Sequence, residues 1–271
     1  YDVNFVGNTT VDINGANGFN NVVWTSAAVK TASMNLDANQ TAVSWTITGP
    51  AANQRPIVRS SVKGTARTLT ISTTFTGASV DYQDVTKAGA ASGDLSAITG
   101  GSGDCGRCSG ITFTTAANQY WASDNGDWDN AGRWYLGSGG TGGAGRVPLP
   151  QDLAIFDASS FTTASRVITQ NMTRIGGVNW TGTTNTPAWA MSTACSFYGS
   201  VTLISGMTMT GTSLYTYEGD NSSTITSNGL TIERGITIDA HLGTLTLGDA
   251  FILGTTRTFT VTSGTFACSS I

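Results

Sequence analysis

Apolar and polar residues alternate over short runs along almost the whole chain, as in AVSWTIT and RTLTIS of the first half and GTLTLG of the second. Alternation with a period of two is typical of a half-buried β-strand, and no long window shows the three- and four-residue spacing of an amphipathic helix. Turn-forming pairs such as Asn14-Gly15 and Gly49-Pro50 separate the runs. The pattern predicts an all-β chain with almost no helix.

Repetition distinguishes the all-β architectures from one another. The segment Asn21–Gly49 aligns with Gly177–Gly206, and Trp24 then matches Trp180. A solenoid needs such repeats, because no single coil buries its own inner face. The sequence therefore predicts a parallel β-helix, or β-solenoid, built from two similar repeat blocks. A pair of β-sandwiches is the alternative, since strands of similar length bounded by glycine would give the same pattern.

We expect three regions: an N-terminal β-repeat block over residues 1–115, a junction rich in Trp, Asp and Gly over 116–157, and a C-terminal β-repeat block over 158–271. In the last block, successive coils should form apolar ladders inside and Thr ladders outside. The segment Cys268–Ile271 has no polar cap, so we expect the natural protein to continue or to meet a partner there. The residues expected to point inward are Val201, Leu203, Met207, Met209, Leu230, Ile232, Ile236, Ile238, Leu245, Leu247, Phe251, Leu253, Phe259 and Val261.

Few charges accompany this pattern. Charged residues make up 11 % of the chain, against about 25 % in ordinary proteins, and the formal net charge is -4. The lysines, Lys30, Lys63 and Lys87, form no basic stripe that could neutralise phosphates, so we expect no nucleic-acid partner. No run approaches the roughly 18 apolar residues of a membrane helix, so we expect no membrane insertion. The chain begins at Tyr1 rather than Met, which indicates a processed or partial product.

The stretch Gln119–Asp157 holds the densest group of aromatic and acidic residues. Its motifs are Tyr120-Trp121, Gly126-Asp127-Trp128, Arg133-Trp134, a Gly/Ser tract, and Val147–Asp152 followed by Ile155-Phe156-Asp157. With these motifs in this order, the chain resembles Gly/Thr-rich, repetitive β-solenoid proteins of bacteriophage virions, such as tail fibres and other appendages, and of bacterial surfaces, such as adhesins. The resemblance is clear over about half of the chain. It implies an extracellular or virion-surface module, commonly in an elongated or trimeric assembly, and it carries over no catalytic residue.

Four aromatic residues of this stretch are candidates for ligand binding: Trp121, Trp128, Trp134 and Tyr135. They could form a platform on which sugar rings stack, with nearby Asp and Asn side chains accepting hydrogen bonds from the sugar hydroxyls. Alternatively, they close the end of a solenoid and shield its apolar interior from water. The sequence leaves both interpretations open.

Asp124, Asp127 and Asp129 supply hard oxygen donors around a glycine turn, so calcium is the cofactor that this cluster could hold. The flanking helices and the final Glu of an EF-hand are missing, and Asx side chains that stabilise a turn are the alternative. Cys105 and Cys108 could form a local disulfide, remain thiols or contribute to a metal site. No second Cys pair and no nearby His completes a set of four ligands.

Candidate catalytic groups are few. His241 is the only histidine, lies in a predicted turn and is interpreted as a surface residue. Two carboxylate pairs, Asp152 with Asp157 and Asp127 with Asp129, are formally available to a glycosidase. The leading hypothesis is therefore a non-enzymatic structural or adhesive module of a phage appendage or cell surface. It would present loops to a glycan receptor, or to copies of itself in a homo-oligomer such as a trimer. The alternatives are a β-helix polysaccharide depolymerase and a subunit of an extracellular filament or sheath.

Overall fold

The computed structural model describes residues 1–269, so Ser270 and Ile271, at the end expected to lack a cap, lie outside the described residues. The predicted fold class is confirmed: the chain is all-β, only 2 % of it is helical, and its parallel sheets stack as a β-solenoid of about 12 turns in total. A β-sandwich would have antiparallel sheets, whereas all described strand pairs but one are parallel. The chain divides into two compact units, Tyr1–Thr115 and a second that starts at Ala116.

The first unit is a stack of coils that each contribute one strand to each of two parallel sheets. Its strands are β1 (Asp2–Asn8), β2 (Thr10–Ile13), β3 (Asn17–Ser26), β4 (Ser33–Leu36), β5 (Gln40–Thr48), β6 (Ile57–Ser60), β7 (Arg67–Ala78), β8 (Val80–Gln83), β9 (Val85–Ala88) and β10 (Ser102–Asp104). The odd-numbered strands form one sheet in the order β1-β3-β5-β7-β9, and the even-numbered strands form the other.

Side-chain alternation builds the core of this unit. In β7, Leu69, Ile71 and Phe75 are buried, and most of the Thr and Ser residues between them are exposed. Between its inward-facing residues Ile71 and Phe75, β7 has one residue more than β5 has between Ala42 and Trp45, and the register shifts there. The inner ladder nevertheless continues across the irregularity, because Phe75 lies opposite the buried Trp45.

Two buried ion pairs lie in the interior of the first unit. Arg55 Nε donates to Asp81 Oδ1 at 2.8 Å, and neither side chain is more than 1 % exposed. Arg107 pairs with Asp84 in the same buried manner. Removing one member of such a pair would leave a buried charge uncompensated, so the pairs strongly constrain how their coils pack.

Each coil of the second unit contributes strands to three faces of the stack. Its strands are β11 (Asn118–Trp121), β12 (Gly126–Asp127), β13 (Trp134–Tyr135), β14 (Leu153–Ile155), β15 (Val167–Gln170), β16 (Arg174–Ile175), β17 (Gly177–Asn179), β18 (Ala188–Met191), β19 (Cys195–Phe197), β20 (Val201–Thr202), β21 (Thr208–Thr210), β22 (Tyr215–Tyr217), β23 (Ser222–Thr226), β24 (Thr231–Ile232), β25 (Ile236–Leu247), β26 (Ile252–Leu253) and β27 (Phe259–Cys268). The long strands β25 and β27 each run along two faces of the stack.

Register shows how one coil lies on the next. Val178 lies opposite Val201, and Val201 lies opposite Ile225, so one coil takes about 23 residues. On the outside, Thr216 and Thr237 are neighbours in successive coils and continue a Thr ladder. Both ladders, the apolar one inside and the Thr one outside, thus occur as the alternation predicts.

Most of the residues expected to point inward do so. Eight of them are buried, and Met209, Leu230, Phe251, Leu253 and Phe259 are partly buried against the same core. Val261 is the exception, with 49 % of its surface exposed. It lies on β27, which pairs only with β25 among residues 1–269, so a neighbouring coil covers this strand on one side alone. No helix in this described part of the chain is long and apolar enough to cross a membrane.

Candidate functional site

The aromatic residues of the stretch Gln119–Asp157 pack inward. Trp121, Trp128 and Trp134 are each 0 % exposed, and Trp134 meets the other two edge-on at centroid distances of 5.1 and 5.0 Å. Trp134 Nε1 donates to the Trp128 carbonyl at 2.8 Å, and Trp121 Nε1 donates to the Asp124 carbonyl at 3.0 Å. These rings present no face to a sugar, so a stacking platform does not fit their positions.

The same residues close an edge of the second unit. β13 pairs antiparallel with β11, whose other neighbour is the parallel strand β14. An open strand edge would expose unpaired backbone groups, and β13 covers it. The burial of Trp134 on β13 therefore agrees with the capping alternative. Tyr135 is half-buried, and its hydroxyl donates to the Gly132 carbonyl at 3.4 Å.

The three aspartates considered for calcium have different surroundings. Asp124 accepts from the Thr162 N–H at 2.7 Å and from the Thr162 hydroxyl at 2.6 Å, and these bonds lower the pKa of its carboxyl. Asp127 is exposed, and Asp129 donates its backbone N–H to Asn171 Oδ1. Within residues 1–269, no three His, Cys, Asp or Glu side chains come together as a metal-binding group.

A polar pocket of about 600 Å³ lies beside Asp124, and we call it the Asp124 pocket. The loop after β11, the residues Arg133 and Gly139 on either side of β13, and the loop between β14 and β15 form its walls. The polar and charged side chains that line it include Ser123, Asp124, Asn125, Arg133, Thr162 and Arg166. Its volume lies within the range of about 300–1,000 Å³ that small-molecule sites occupy.

Local geometry holds the loop of this pocket in place. Asp124 has φ 49°, a left-handed conformation that Asp and Asn adopt more readily than most residues. Gly126 follows two residues later, and a Cβ there would come within 3.1 Å of the Trp121 ring and 3.3 Å of Arg133 Nε. A glycine at this position therefore lets the loop lie directly on the buried Trp cluster.

The two arginines of the pocket are oriented by their neighbours. Arg133 Nη1 donates to the Ser123 carbonyl at 3.0 Å and also to the Ser123 hydroxyl. Arg166 Nε donates to Thr163 Oγ1 at 2.6 Å and lies 3.8 Å from Asp124 Oδ1. Arg166 is absent from the sequence-based candidates. In the sequence, Arg166 could have been found by its position one coil after Asp124, but the irregular Gly/Ser tract between the two residues conceals this relation.

A second polar pocket, of about 360 Å³, lies in the first unit. In it, Arg59 Nε donates to Asn35 Oδ1 at 3.0 Å, and Asn35 Nδ2 donates to Asp12 Oδ1 at 2.7 Å. These three residues face one another in successive coils of the even-numbered sheet. Because they bond to each other, we interpret them as a polar ladder that holds the coils together.

The other candidate groups are dispersed. Cys105 is buried, Cys108 is half-buried, and both carry thiols rather than a disulfide. His241 is exposed at a corner of β25, where its backbone N–H donates to Ser263 Oγ. Asp152 is bonded to Arg146 and to two backbone N–H groups, and Asp157 accepts from the Ser159 N–H. In the structure, Asp152 and Asp157 thus serve as turn and loop anchors.

No family model matches the chain, and no curated protein or solved structure is significantly similar to it. The solenoid architecture therefore stands on the strand register, and function has to be argued from the sites. The Asp124 pocket is the stronger candidate, because it is the larger of the two and is lined by two arginines whose remaining N–H groups bond to no acceptor within residues 1–269.

Proposed function

We propose that this protein is a non-enzymatic adhesive module of a phage appendage or cell surface that binds a glycan in the Asp124 pocket. The observation that carries the proposal is the pocket itself, an open polar cavity held on a stack of hydrogen-bonded coils. The proposal also draws on the resemblance of the sequence to solenoids of virions and adhesins. An extracellular or virion-surface location would follow from this role.

The coils supply a stable support for such a pocket. Acidic side chains repeatedly bond to residues one coil away: Asp249 accepts from the Ser227 N–H at 2.8 Å, and Asp239 accepts from the Ser263 hydroxyl at 2.8 Å. In the first unit, Asp2 accepts from Asn20 and Asn21 in the same way. A site on a support of this kind is already ordered before its ligand arrives, so less conformational entropy is lost on binding.

The lining chemistry of the Asp124 pocket matches a ligand rich in hydroxyl groups. The Asp124 carboxylate can accept further hydrogen bonds beyond the two from Thr162, since a carboxylate offers about four acceptor positions. Asn125 Oδ1 accepts from the Val167 N–H at 2.7 Å, which leaves the amide N–H₂ of Asn125 to donate. Both donors and acceptors therefore line the cavity, and a sugar hydroxyl can bond to either.

A glycan array followed by calorimetry tests this function. We expect the wild-type protein to bind at least one class of oligosaccharide, and Asp124→Asn and Asn125→Ala to weaken that binding. Arg59→Gln is the matched control, because Arg59 lies in the polar ladder of the first unit. Absence of binding to every glycan at millimolar concentration would refute the adhesive role. Release of oligosaccharide fragments, detected by mass spectrometry, would refute the non-enzymatic role and favour a depolymerase.

Self-assembly into a filament or sheath is a second candidate, and the edge of β27 favours it. This strand has β25 as its sole strand partner within residues 1–269, and its residues Val261 and Phe266 are 49 % and 38 % exposed. Exposed strand edges pair with strands of other chains. Light scattering and negative-stain microscopy should then show ordered oligomers, which Val261→Lys would disrupt. A monomer at all concentrations would exclude this candidate.

A further inference from the structure

The Asp124 pocket is lined by two arginines with hydrogen-bond donors that the protein does not use. Arg133 bonds through Nη1 and Arg166 bonds through Nε, so each guanidinium has other N–H groups. Within residues 1–269, those other groups donate to no protein acceptor. Both side chains are only partly exposed, and Arg166 is 36 % exposed. Two oriented guanidinium groups therefore face one cavity with donors to spare.

The charges around the pocket do not balance. Asp124 contributes the only carboxylate to the lining, whereas Arg133 and Arg166 contribute two positive charges. Asp157, which accepts from the Ser159 N–H at 2.9 Å, is not among the lining residues. Asp124 itself is engaged by Thr162 and stands 3.8 Å from Arg166. The lining thus has one positive charge in excess.

A carboxylate is the group that fits this excess best. It carries a single negative charge and two coplanar acceptor oxygens, which match the planar N–H groups of a guanidinium. The hydroxyls of Ser123 and Thr162 and the amide of Asn125 lie around the same cavity. A ligand that combines one carboxylate with several hydroxyls would satisfy both sets of groups.

We propose that the Asp124 pocket selects an acidic saccharide, whose carboxylate is bound by Arg133 and Arg166 and whose hydroxyls bond to Asp124 and Asn125. This inference rests on the proposed glycan-binding function and specifies its ligand class. Because the carboxylate would form charge-assisted hydrogen bonds, it should contribute more to affinity than any single hydroxyl.

The test compares each acidic saccharide with its own methyl ester. The probes are uronic-acid and sialic-acid oligosaccharides and the corresponding methyl esters, which keep the sugar backbone and lose the charge. We expect the acid to bind at least roughly ten-fold more tightly than the ester, the effect of about one charge-assisted hydrogen bond. Raising the salt concentration should weaken binding of the acid and leave binding of the ester nearly unchanged.

Variants assign the preference to the two arginines. Arg166→Gln and Arg133→Gln should each remove most of the preference for the acid, and Arg166→Lys should retain part of it, because a lysine keeps the charge without the planar fork. Arg59→Gln, in the first unit, should leave it unchanged. Urea unfolding of each variant checks that the fold persists, and Arg166→Gln carries the test if Arg133→Gln unfolds.

The outcomes separate the two proposals. If an ester binds as tightly as its acid, or if the arginine variants keep the preference, the acidic-saccharide inference is wrong while glycan binding stands. If no saccharide in either form binds, the proposed function fails together with the inference.

Discussion

Asp152 offers the sharpest test of how the stretch Gln119–Asp157 is held. Its side chain is 0 % exposed. It accepts four hydrogen bonds: from Arg146 Nε at 2.9 Å, from Arg146 Nη2 at 2.6 Å, from the Leu149 N–H at 2.8 Å and from the Ala117 N–H at 2.8 Å. Asp152→Ala removes all four acceptor contacts at once. The carboxylate thereby links the loop before β14 to the first residues of the unit.

The expected loss of stability follows from the hydrogen bond that each donor would lose. The Leu149 N–H is buried and would lose its acceptor, which costs about 1–3 kcal/mol, and the Ala117 N–H is half-buried and would lose less. Arg146 is 30 % exposed, so water can replace part of its ion pair, which then adds about 1 kcal/mol or less. We therefore expect Asp152→Ala to lower the free energy of unfolding of the second unit by about 2–4 kcal/mol.

Urea unfolding followed by Trp fluorescence measures this loss, because Trp121, Trp128 and Trp134 lie in the same unit. Asp152→Asn keeps an acceptor oxygen and should lose only about half as much as Asp152→Ala. Asp127→Ala, at an exposed carboxylate of the same stretch, should stay within about 0.5 kcal/mol of wild type. A loss below about 1 kcal/mol for Asp152→Ala would refute the view that the carboxylate anchors this loop.

Three further predictions concern single residues. Arg234→Met should leave the midpoint of urea unfolding unchanged or raise it. Arg234 is 0 % exposed, and its Nε and Nη1 have no hydrogen-bond partner within residues 1–269, so the substitution removes a buried charge with unsatisfied donors. A clearly lower midpoint would contradict this. Burial raises the pKa of the Cys195 thiol, whereas Cys268 is exposed. A thiol reagent at neutral pH should therefore modify Cys268 quickly and Cys195 only when the protein unfolds. Equal rates of modification would be inconsistent with the burial of Cys195. The hydrogen bonds from Thr162 lower the pKa of the Asp124 carboxyl, so the stabilisation they provide is present above the pKa of the unfolded state and is lost as the pH falls through the pKa of the folded state. Thr162→Val should therefore raise the pKa of Asp124, as measured by carboxyl NMR. An unchanged pKa would exclude Thr162 as the cause.

The fold was predictable because the solenoid repeats one local rule many times. Ile225 opposite Leu247 and Thr224 opposite Thr246 are the alternation of the sequence seen in three dimensions. The number of faces to a coil was not predictable, since it depends on corners rather than on strands. His241, for example, lies in a predicted turn and bends the chain within β25 at φ 55°, but the turn alone does not tell whether the strand after it joins the same face or a new one.

The sequence predicted where the candidate site lies but not all of the residues that line it. The sequence directed attention to Gln119–Asp157, and Asp124 does line a pocket there. Aromatic content alone does not tell an exposed platform from a core, and the core outcome for Trp121 and Trp128 depends on Phe156, which packs against both from the next coil. Arg166 reaches the pocket through coil stacking across a loop of irregular length, a relation that the linear sequence does not display.

The register of the second unit makes length a stepwise property of this protein. Val178, Val201 and Ile225 follow one another across the stack at one-coil intervals. An insertion or deletion of one whole coil would keep every remaining strand facing inward, whereas a change of a single residue within a strand would reverse its inner and outer faces. Natural variants of such a chain should therefore differ in reach by multiples of the strand spacing, about 4.8 Å per coil, while carrying an identical Asp124 pocket.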